Sequence, residues 1–260
     1  MAMRLLALFL MVASAWACAG SQPVRLRLPP EARIGMLNLL EPEMTYVAVG
    51  ALRLDSFTKV YPVDWDLPGY VNRSIQNELR VHGRYAFIPL AAGAAADWKQ
   101  SMSNGVLSAV NAWLLGDLKS FLERTAEENR LDAIISVSSY DSESWPDAAC
   151  FKIGKDAIAT NGYGLYTRDK LLSVLSNLAP VGQDTATPYA NIIVAIFQAR
   201  PAALDAYARA PCGKSSLPEF LESSGLQALN PAVIRQVKPY VEQLAAAAAQ
   251  SALKEAGLLP

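Results

Sequence analysis

Hydrophobic and polar positions follow two periods along this chain. Ile34-Gly35-Met36-Leu37-Asn38-Leu39-Leu40 is a short, nearly continuous apolar run, the pattern of a buried first strand. Residues 46–54 are rich in β-formers and predict a second strand. From Asp66 the period lengthens. Val71, Ile75 and Leu79 fall at i, i+4 and i+8 and form one stripe of a helix, with Asp66 as its N-cap. His82-Gly83 follows, and Gly83 is placed to close that helix in the left-handed conformation. Residues 85–90 predict the next strand.

An Ala/Gly loop over 91–96 separates this unit from a second helical stretch, 106–129. That stretch carries Val110, Trp113, Leu114, Leu118, Phe121 and Leu122, and Gly116-Asp117 divides it, with Asp117 capping the second part. Strands follow at 131–139 and 158–167. Gly162 and Gly164 in the latter mark a bulge or a close backbone approach. A short helix is predicted at 169–178 and a strongly apolar strand at 191–199. Pro201 interrupts it, and 204–210 returns as a hairpin arm. Asn230-Pro231 places Asn at an N-cap and Pro at the first helical position. Pro239 predicts a break between a short helix and a longer one ending near Ala256, with Gly257 as its cap. The small-residue face 245–249 suits close helix packing.

Strands alternating with helices predict an α/β fold, a mixed sheet packed by helices in a single domain with a C-terminal helical extension. The chain divides into an export signal (1–17), a tether (18–30), an α/β domain (31–212) and the extension (213–260).

The N-terminus carries the export reading. Arg4 supplies a positive charge, residues 5–12 a short apolar core, and Ala13-Ser14-Ala15-Trp16-Ala17-Cys18 the small residues before a cut. The core is too short to cross a bilayer about 30 Å thick as a permanent span. Cleavage before Cys18 would leave that cysteine to carry acyl chains. Cleavage after Ala17 or Ala19, both A-x-A sites, would leave a soluble exported protein. Ala15 and Trp16 depart from the usual lipid-attachment motif, so export is the firmer of the two readings. Residues 19–30, with Gly20, Pro23, Pro29 and Pro30, read as an extended tether. Its Arg25 and Arg27 are too few to define a lipid site by themselves.

The chain has three cysteines. With Cys18 lipidated, Cys150 and Cys212 remain as a pair, expected either as a disulfide in an oxidising compartment or as two buried thiols. Neither belongs to a C-x-x-C pair and His82 is the single histidine, so no metal site and no cofactor are expected. The 260 residues are 52% hydrophobic with a net charge of −1, which gives no electrostatic reason for a nucleic-acid partner. No apolar run after residue 18 reaches membrane-spanning length.

Candidate chemistry is sparse. Any Ser-His-Asp or Cys-His mechanism would need His82, whose place at a helix end suits a structural role. No G-x-S-x-G elbow supplies a nucleophile. The loop after the 131–139 strand carries Asp141, Glu143, Trp145 and Asp147. It is a possible ligand loop, since ligands of open α/β sheets gather outside strand carboxyl ends. Its carboxylates could hold Ca²⁺ or work as an acid/base pair, and a solvated acidic loop explains them as well. Asn161-Gly162-Tyr163-Gly164-Leu165-Tyr166 lacks the third glycine and following helix of a nucleotide site. Asp64-Trp65-Asp66 is explained by helix capping.

Residues 33–140 resemble a known envelope arrangement. The strand at 33–40, the helix at 71–82, the phrase Leu79-Arg80-Val81-His82-Gly83-Arg84-Tyr85-Ala86-Phe87-Ile88-Pro89-Leu90 and the segment Leu131-Asp132-Ala133-Ile134-Ile135-Ser136-Val137 carry it. The pattern resembles the α/β domain of TolB, the curli secretion lipoprotein CsgG and the penicillin-binding-protein activator lipoproteins. That resemblance implies a binding or assembly domain on a lipid tether, with another envelope protein or a cell-wall component as partner. The region 91–117 is longer than the family connection, and 213–260 has no counterpart in it. The expectation is therefore a non-enzymatic envelope binding or assembly factor. It would be anchored through Cys18 to the outer membrane and face the periplasm, or be soluble in the periplasm. A periplasmic hydrolase using the 141–147 carboxylates and a small-molecule or glycan receptor are the alternatives.

Overall fold

The apolar run after Arg33 becomes the middle of a sheet. The computed structural model describes residues 26–49, 56–91, 117–140, 142, 150–153, 156–158, 160–168, 185–213, 217, 229 and 231–260. In it, β1 (Arg33–Asn38) runs parallel to β4 (Ala86–Pro89) on one side and to β5 (Ala133–Ser139) on the other. Ile34 to Leu37 are all buried, as a parallel strand covered on both faces requires. β10 (Ile192–Ala199) and β11 (Ala202–Arg209) extend this first sheet antiparallel, in the order β11-β10-β5-β1-β4.

The second sheet contains β2 (Glu43–Val49), β3 (Phe57–Pro62), β8 (Tyr163–Arg168) and β9 (Thr185–Ala190), in the order β3-β2-β8-β9. Here β2 and β8 are parallel and the two outer pairs antiparallel. A two-stranded piece, β6 (Lys152–Ile153) with β7 (Asp156–Ala157), stands apart. The fold is thus α/β with mixed sheets, and all the described strands except β6 and β7 are divided between two sheets.

Among the described residues, three helices fill the remaining layers: α1 (Leu67–Arg80), α2 (Asp117–Asn129) and α3 (Pro231–Glu255). Asp66 starts α1 by accepting the Gly69 N–H at 2.9 Å. Leu67, Val71, Ile75 and Leu79 are fully buried, each contributing roughly 1.5–3 kcal/mol of transfer free energy. They meet Ile34, Met36, Ile135 and Val194 of the first sheet and Val237, Val241 and Ala245 of α3. The same cluster contains Met44, Tyr46 and Leu165 of the second sheet, so α1 and α3 belong to the layer that joins the two sheets. The opposite face of the first sheet, with Leu37, Ile134, Ile193 and Phe197, packs under Leu122 and Ala126 of α2.

Two sequence expectations are corrected. Gly83 does not adopt the left-handed conformation. Val81 follows α1 at φ −70°, and the His82 and Gly83 N–H groups both bond the Leu79 carbonyl. What Gly83 supplies is room: a Cβ there would lie 2.6 Å from the Tyr85 ring. Pro239 does not divide the last helix either, since α3 runs unbroken for 25 residues. Pro239 is exposed, so the carbonyl it leaves without a donor can face water, while the buried Val237, Val241 and Ala245 stripe runs past it. Gly257 closes α3 as expected, at φ 72°. Its N–H bonds Lys254 O at 3.0 Å and the Leu258 N–H bonds Leu253 O at 2.9 Å, a Schellman pair.

Candidate functional site

The loop after β5 is where the sequence places ligand chemistry. Asp141, Glu143, Trp145 and Asp147 lie outside the described residues, and so does Cys18. The frame that holds the loop is described. It starts where the chain leaves β5. The Tyr140 N–H bonds Asn191 O at 2.9 Å, and the Ser142 N–H bonds Thr160 O at 2.9 Å. The Ser142 hydroxyl accepts from the Thr160 N–H (2.8 Å) and donates to Ile158 O (3.0 Å). It also lies 3.0 Å from the Thr160 hydroxyl. Asn191, the single residue between β9 and β10, donates its side-chain amide to Thr160 O at 2.6 Å and to Thr160 Oγ1 at 2.8 Å.

Ser142, Thr160 and Asn191 are all buried. Removing one partner would leave the others desolvated and unpaired, at about 1–3 kcal/mol per group. The network locks the crossing point of the two sheets. It also explains why Ser142 is no nucleophile: its lone pairs and proton are engaged with the backbone and Thr160. Asn191 Oδ1 stays without a partner, as do the hydroxyls of Ser136 and Ser138 on β5. One hint of this is legible along the chain, an asparagine opening an otherwise apolar strand.

Beyond the network, Phe151 stacks on Tyr166 with centroids 4.0 Å apart and planes 15° apart, and meets Tyr189 edge-on at 5.8 Å. Tyr189 pairs with Gly164, which pairs with Thr45, so its ring crosses the glycine. Its hydroxyl donates to Thr45 O and Asn161 O, both at 3.3 Å. Burial holds that phenol far above its ordinary pKa. Gly164 is therefore a site of close backbone approach, since a Cβ there would run into the Thr45 carbonyl. Gly162 takes φ 62°. Both glycines serve the strand and not a phosphate.

Cys150 and Cys212 form a disulfide with Cα atoms 5.2 Å apart across 62 residues of sequence. It ties the loop to the segment leaving β11. Beside it lies an apolar cavity of about 250 Å³, walled by Pro188, Pro211, Cys212 and, from α3, Tyr240, Gln243 and Leu244. Tyr240 and Leu244 are partly buried residues flanking the core stripe, which is why the sequence did not single them out.

The remaining candidates separate in space. His82 is exposed after α1, at the edge where β1, β4 and β5 begin, whereas the loop leaves the far end of β5. Seven residues of strand, about 20 Å, lie between them. Asp66 is engaged by Arg73 (2.9 Å) and Gly69, and the Arg73 hydrogen bond, ahead of the Gly69 N–H, holds its carboxyl below the usual range. Asp64 is exposed. Trp65 is buried against Tyr163, centroids 6.0 Å apart, with its indole N–H unpaired. Among the described residues no three His, Cys, Asp or Glu side chains converge as metal ligands. No helix among them is long and apolar enough to cross a membrane. Comparisons with protein-family models, with curated proteins and with solved structures give no match in any of the three.

Proposed function

We propose that this chain is an exported protein of the bacterial cell envelope, carried on a lipid at Cys18, that binds or scaffolds another envelope protein or a cell-wall component without chemistry of its own. The Cys150–Cys212 disulfide carries the reading. Such a bridge persists in oxidising compartments, and it occurs here in a chain whose first 17 residues have the layout of an export signal. The resemblance of residues 33–140 to lipoprotein α/β domains points the same way. The base of the 141–147 loop is a buried hydrogen-bond network of Ser142, Thr160 and Asn191 with no histidine near it, which favours a solvated acidic loop over one that cleaves bonds.

Two measurements test this. Cys18→Ser should abolish palmitate incorporation and shift the protein from membrane to soluble fractions; unchanged labelling would overturn the lipid assignment. The triple variant Asp141→Asn, Glu143→Gln, Asp147→Asn separates binding from hydrolysis. It should restore the envelope phenotype of a deletion strain as well as the wild type does. Complete loss of complementation by a normally folded triple variant would favour the hydrolase.

A further inference from the structure

The disulfide joins two segments that are anchored very differently. Cys212 follows β11 on a stretch fixed to the sheets. The Ala210 N–H bonds Ile192 O at 2.8 Å, and Gly213 lies so close to β9 that a Cβ there would run into the Pro188 carbonyl. Cys150 instead leads into the short hairpin of β6 and β7. That hairpin has two residues per strand and, among the described residues, pairs with no other strand. A hairpin by itself is marginally stable in water. The Ile158 N–H closes its base on Phe151 O at 3.0 Å.

The base of the hairpin covers the outer face of the second sheet. Phe151 and Ile158, both partly buried, pack on Val47, Val49, Tyr166 and Tyr189, which are all buried. Past Ile158 the chain is fixed again. Ser142 Oγ donates to Ile158 O at 3.0 Å, and Thr160 belongs to the buried network. The cover is therefore held at its Thr160 end by hydrogen bonds and at its Cys150 end by the disulfide. Without the bridge, the Cys150 end keeps only non-covalent contacts with the sheets.

Access to the bridge is also asymmetric. Cys212 is exposed and Cys150 half-buried. Exposed disulfides tend to be the reducible, regulatory ones, whereas structural bridges resist the surrounding thiols. Cys212 also stands in the wall of the apolar cavity of about 250 Å³, beside Pro188, Pro211, Tyr240 and Leu244. An apolar side chain next to an attacking thiol therefore has a seat beside the sulfur to be attacked.

We propose that Cys150–Cys212 is a redox switch: a dithiol reductant opens it by attack on Cys212, the hairpin of β6 and β7 lifts about its Thr160 end, and the Tyr166–Tyr189 face of the second sheet is uncovered. A thiolate of the reductant bonds Cys212 Sγ, the bond between Cys212 and Cys150 breaks, and Cys150 leaves as a thiolate that takes a proton. The second thiol of the reductant then attacks its own sulfur in the mixed disulfide and releases Cys212. The bridge gains two electrons and two protons, and the dithiol becomes a disulfide. Cys212 stays seated on β9, and the Cys150 side moves. The switch rests only on the export part of the proposed function, since an oxidising compartment keeps the bridge closed at rest.

A redox titration tests this. The full chain with Cys18→Ser, which leaves Cys150 and Cys212 as its cysteines, is equilibrated in dithiothreitol buffers of graded reduced-to-oxidised ratio. The reduced fraction, read by alkylation and mass, should rise and fall reversibly without urea. In step with it the Ile158 amide should exchange roughly tenfold faster or more, while β1 and β5 keep their protection. A dye that binds exposed apolar surface should brighten over the same range. Brief exposure to reduced glutathione should leave its adduct on Cys212. A bridge that yields only after urea has unfolded the protein would overturn the switch. So would a reduced bridge with Ile158 exchange unchanged, or β1 and β5 losing protection together with Ile158, which would make the bridge a structural staple. A glutathione adduct on Cys150 alone would overturn the attack on Cys212. None of these readouts depends on export or lipid, so their failure is separate from failure of the proposed function.

Discussion

The two sheets of this protein are held by different kinds of contact. The first is aliphatic on both faces, with Ile34, Met36, Ile135 and Val194 toward α1 and α3 and Leu37, Ile134, Ile193 and Phe197 toward α2. The second joins the common core through one face. Its other face is a small aromatic set, Tyr166 and Tyr189 with Val47 and Val49, covered by Phe151 and Ile158 from the disulfide-tied segment. Aliphatic layers distribute stability over many equivalent contacts, so a single change there costs a graded amount. An aromatic set resting on a glycine crossing and one covalent tie concentrates stability in a few places. The second sheet should therefore be the part that opens first.

Removing the disulfide should have the largest effect. Replacing Cys150 and Cys212 together by Ala releases a 62-residue separation, which the chain-entropy relation values at about 4 kcal/mol. Urea unfolding measures the loss. Native-state hydrogen exchange should then show β8 and β9 losing protection well before β1 and β5. Simultaneous loss in both sheets would break the contrast.

Next is a matched pair of glycines. Gly164→Ala puts a Cβ into the Thr45 backbone, which cannot yield without parting β2 from β8, and should cost about 3 kcal/mol or more. Gly35→Ala in the first sheet meets Leu131 Cδ1 at 2.6 Å and Leu90 Cδ1 at 2.9 Å, the ends of flexible side chains, and should cost about 1 kcal/mol. Equal urea midpoints for the two variants would mean that the second sheet is no more brittle than the first.

Alkaline pH probes the second sheet through Tyr163. Its hydroxyl donates to Glu41 O at 2.7 Å, and burial pushes its pKa up from 10.0 to about 12. A raised folded value means that the native state favours the neutral phenol. Its contribution is complete below pH 10 and is lost as pH climbs toward 12. Tyr163→Phe should cost about 1 kcal/mol at neutral pH and flatten the decline between pH 10 and 12. An unchanged slope would show that Tyr163 does not couple the sheet to alkaline unfolding.

The same contrast explains what could be read in the sequence. The strands of the first sheet announce themselves, because burial on both faces demands continuous apolar runs such as Ile192–Ala199. In the second sheet β2 and β8 are legible, but its two outer strands hide. β3 is an edge strand whose Thr58, Lys59 and Val60 are exposed, and β9 carries Pro188 within Thr-Ala-Thr-Pro-Tyr-Ala. Neither alternates cleanly, and both escape pattern reading. Asp66, Gly164, Gly257 and the Cys150–Cys212 pair were legible, because a cap, a close approach and a cysteine count each depend on one or two residues. Pro239 misled because its local effect is outweighed by a buried stripe that only the assembled sheets provide. The groove beside the disulfide and the Ser142–Thr160–Asn191 network join residues from distant segments, which no local pattern reveals.

The smallest predicted effect sharpens the comparison from the side of the first sheet, and it has the opposite sign. α2 covers that sheet's outer face and ends in the same hydrogen-bond pattern as α3. The Arg130 N–H bonds Glu127 O at 3.1 Å and the Leu131 N–H bonds Ala126 O at 2.8 Å. The left-handed residue of this motif is Arg130 in α2 and Gly257 in α3. For an ordinary L-residue that conformation costs about 1–2 kcal/mol. Glycine avoids it but gives up about 0.5–1 kcal/mol through the greater freedom of its unfolded chain. Arg130→Gly should therefore stabilise the protein by about 0.5–1 kcal/mol, seen as a higher urea midpoint. Because α2 packs on β5 and β10, the added exchange protection should appear in α2 and the first sheet and not in β8 or β9. A gain spread evenly over both sheets would mean that they unfold as one unit despite their different construction.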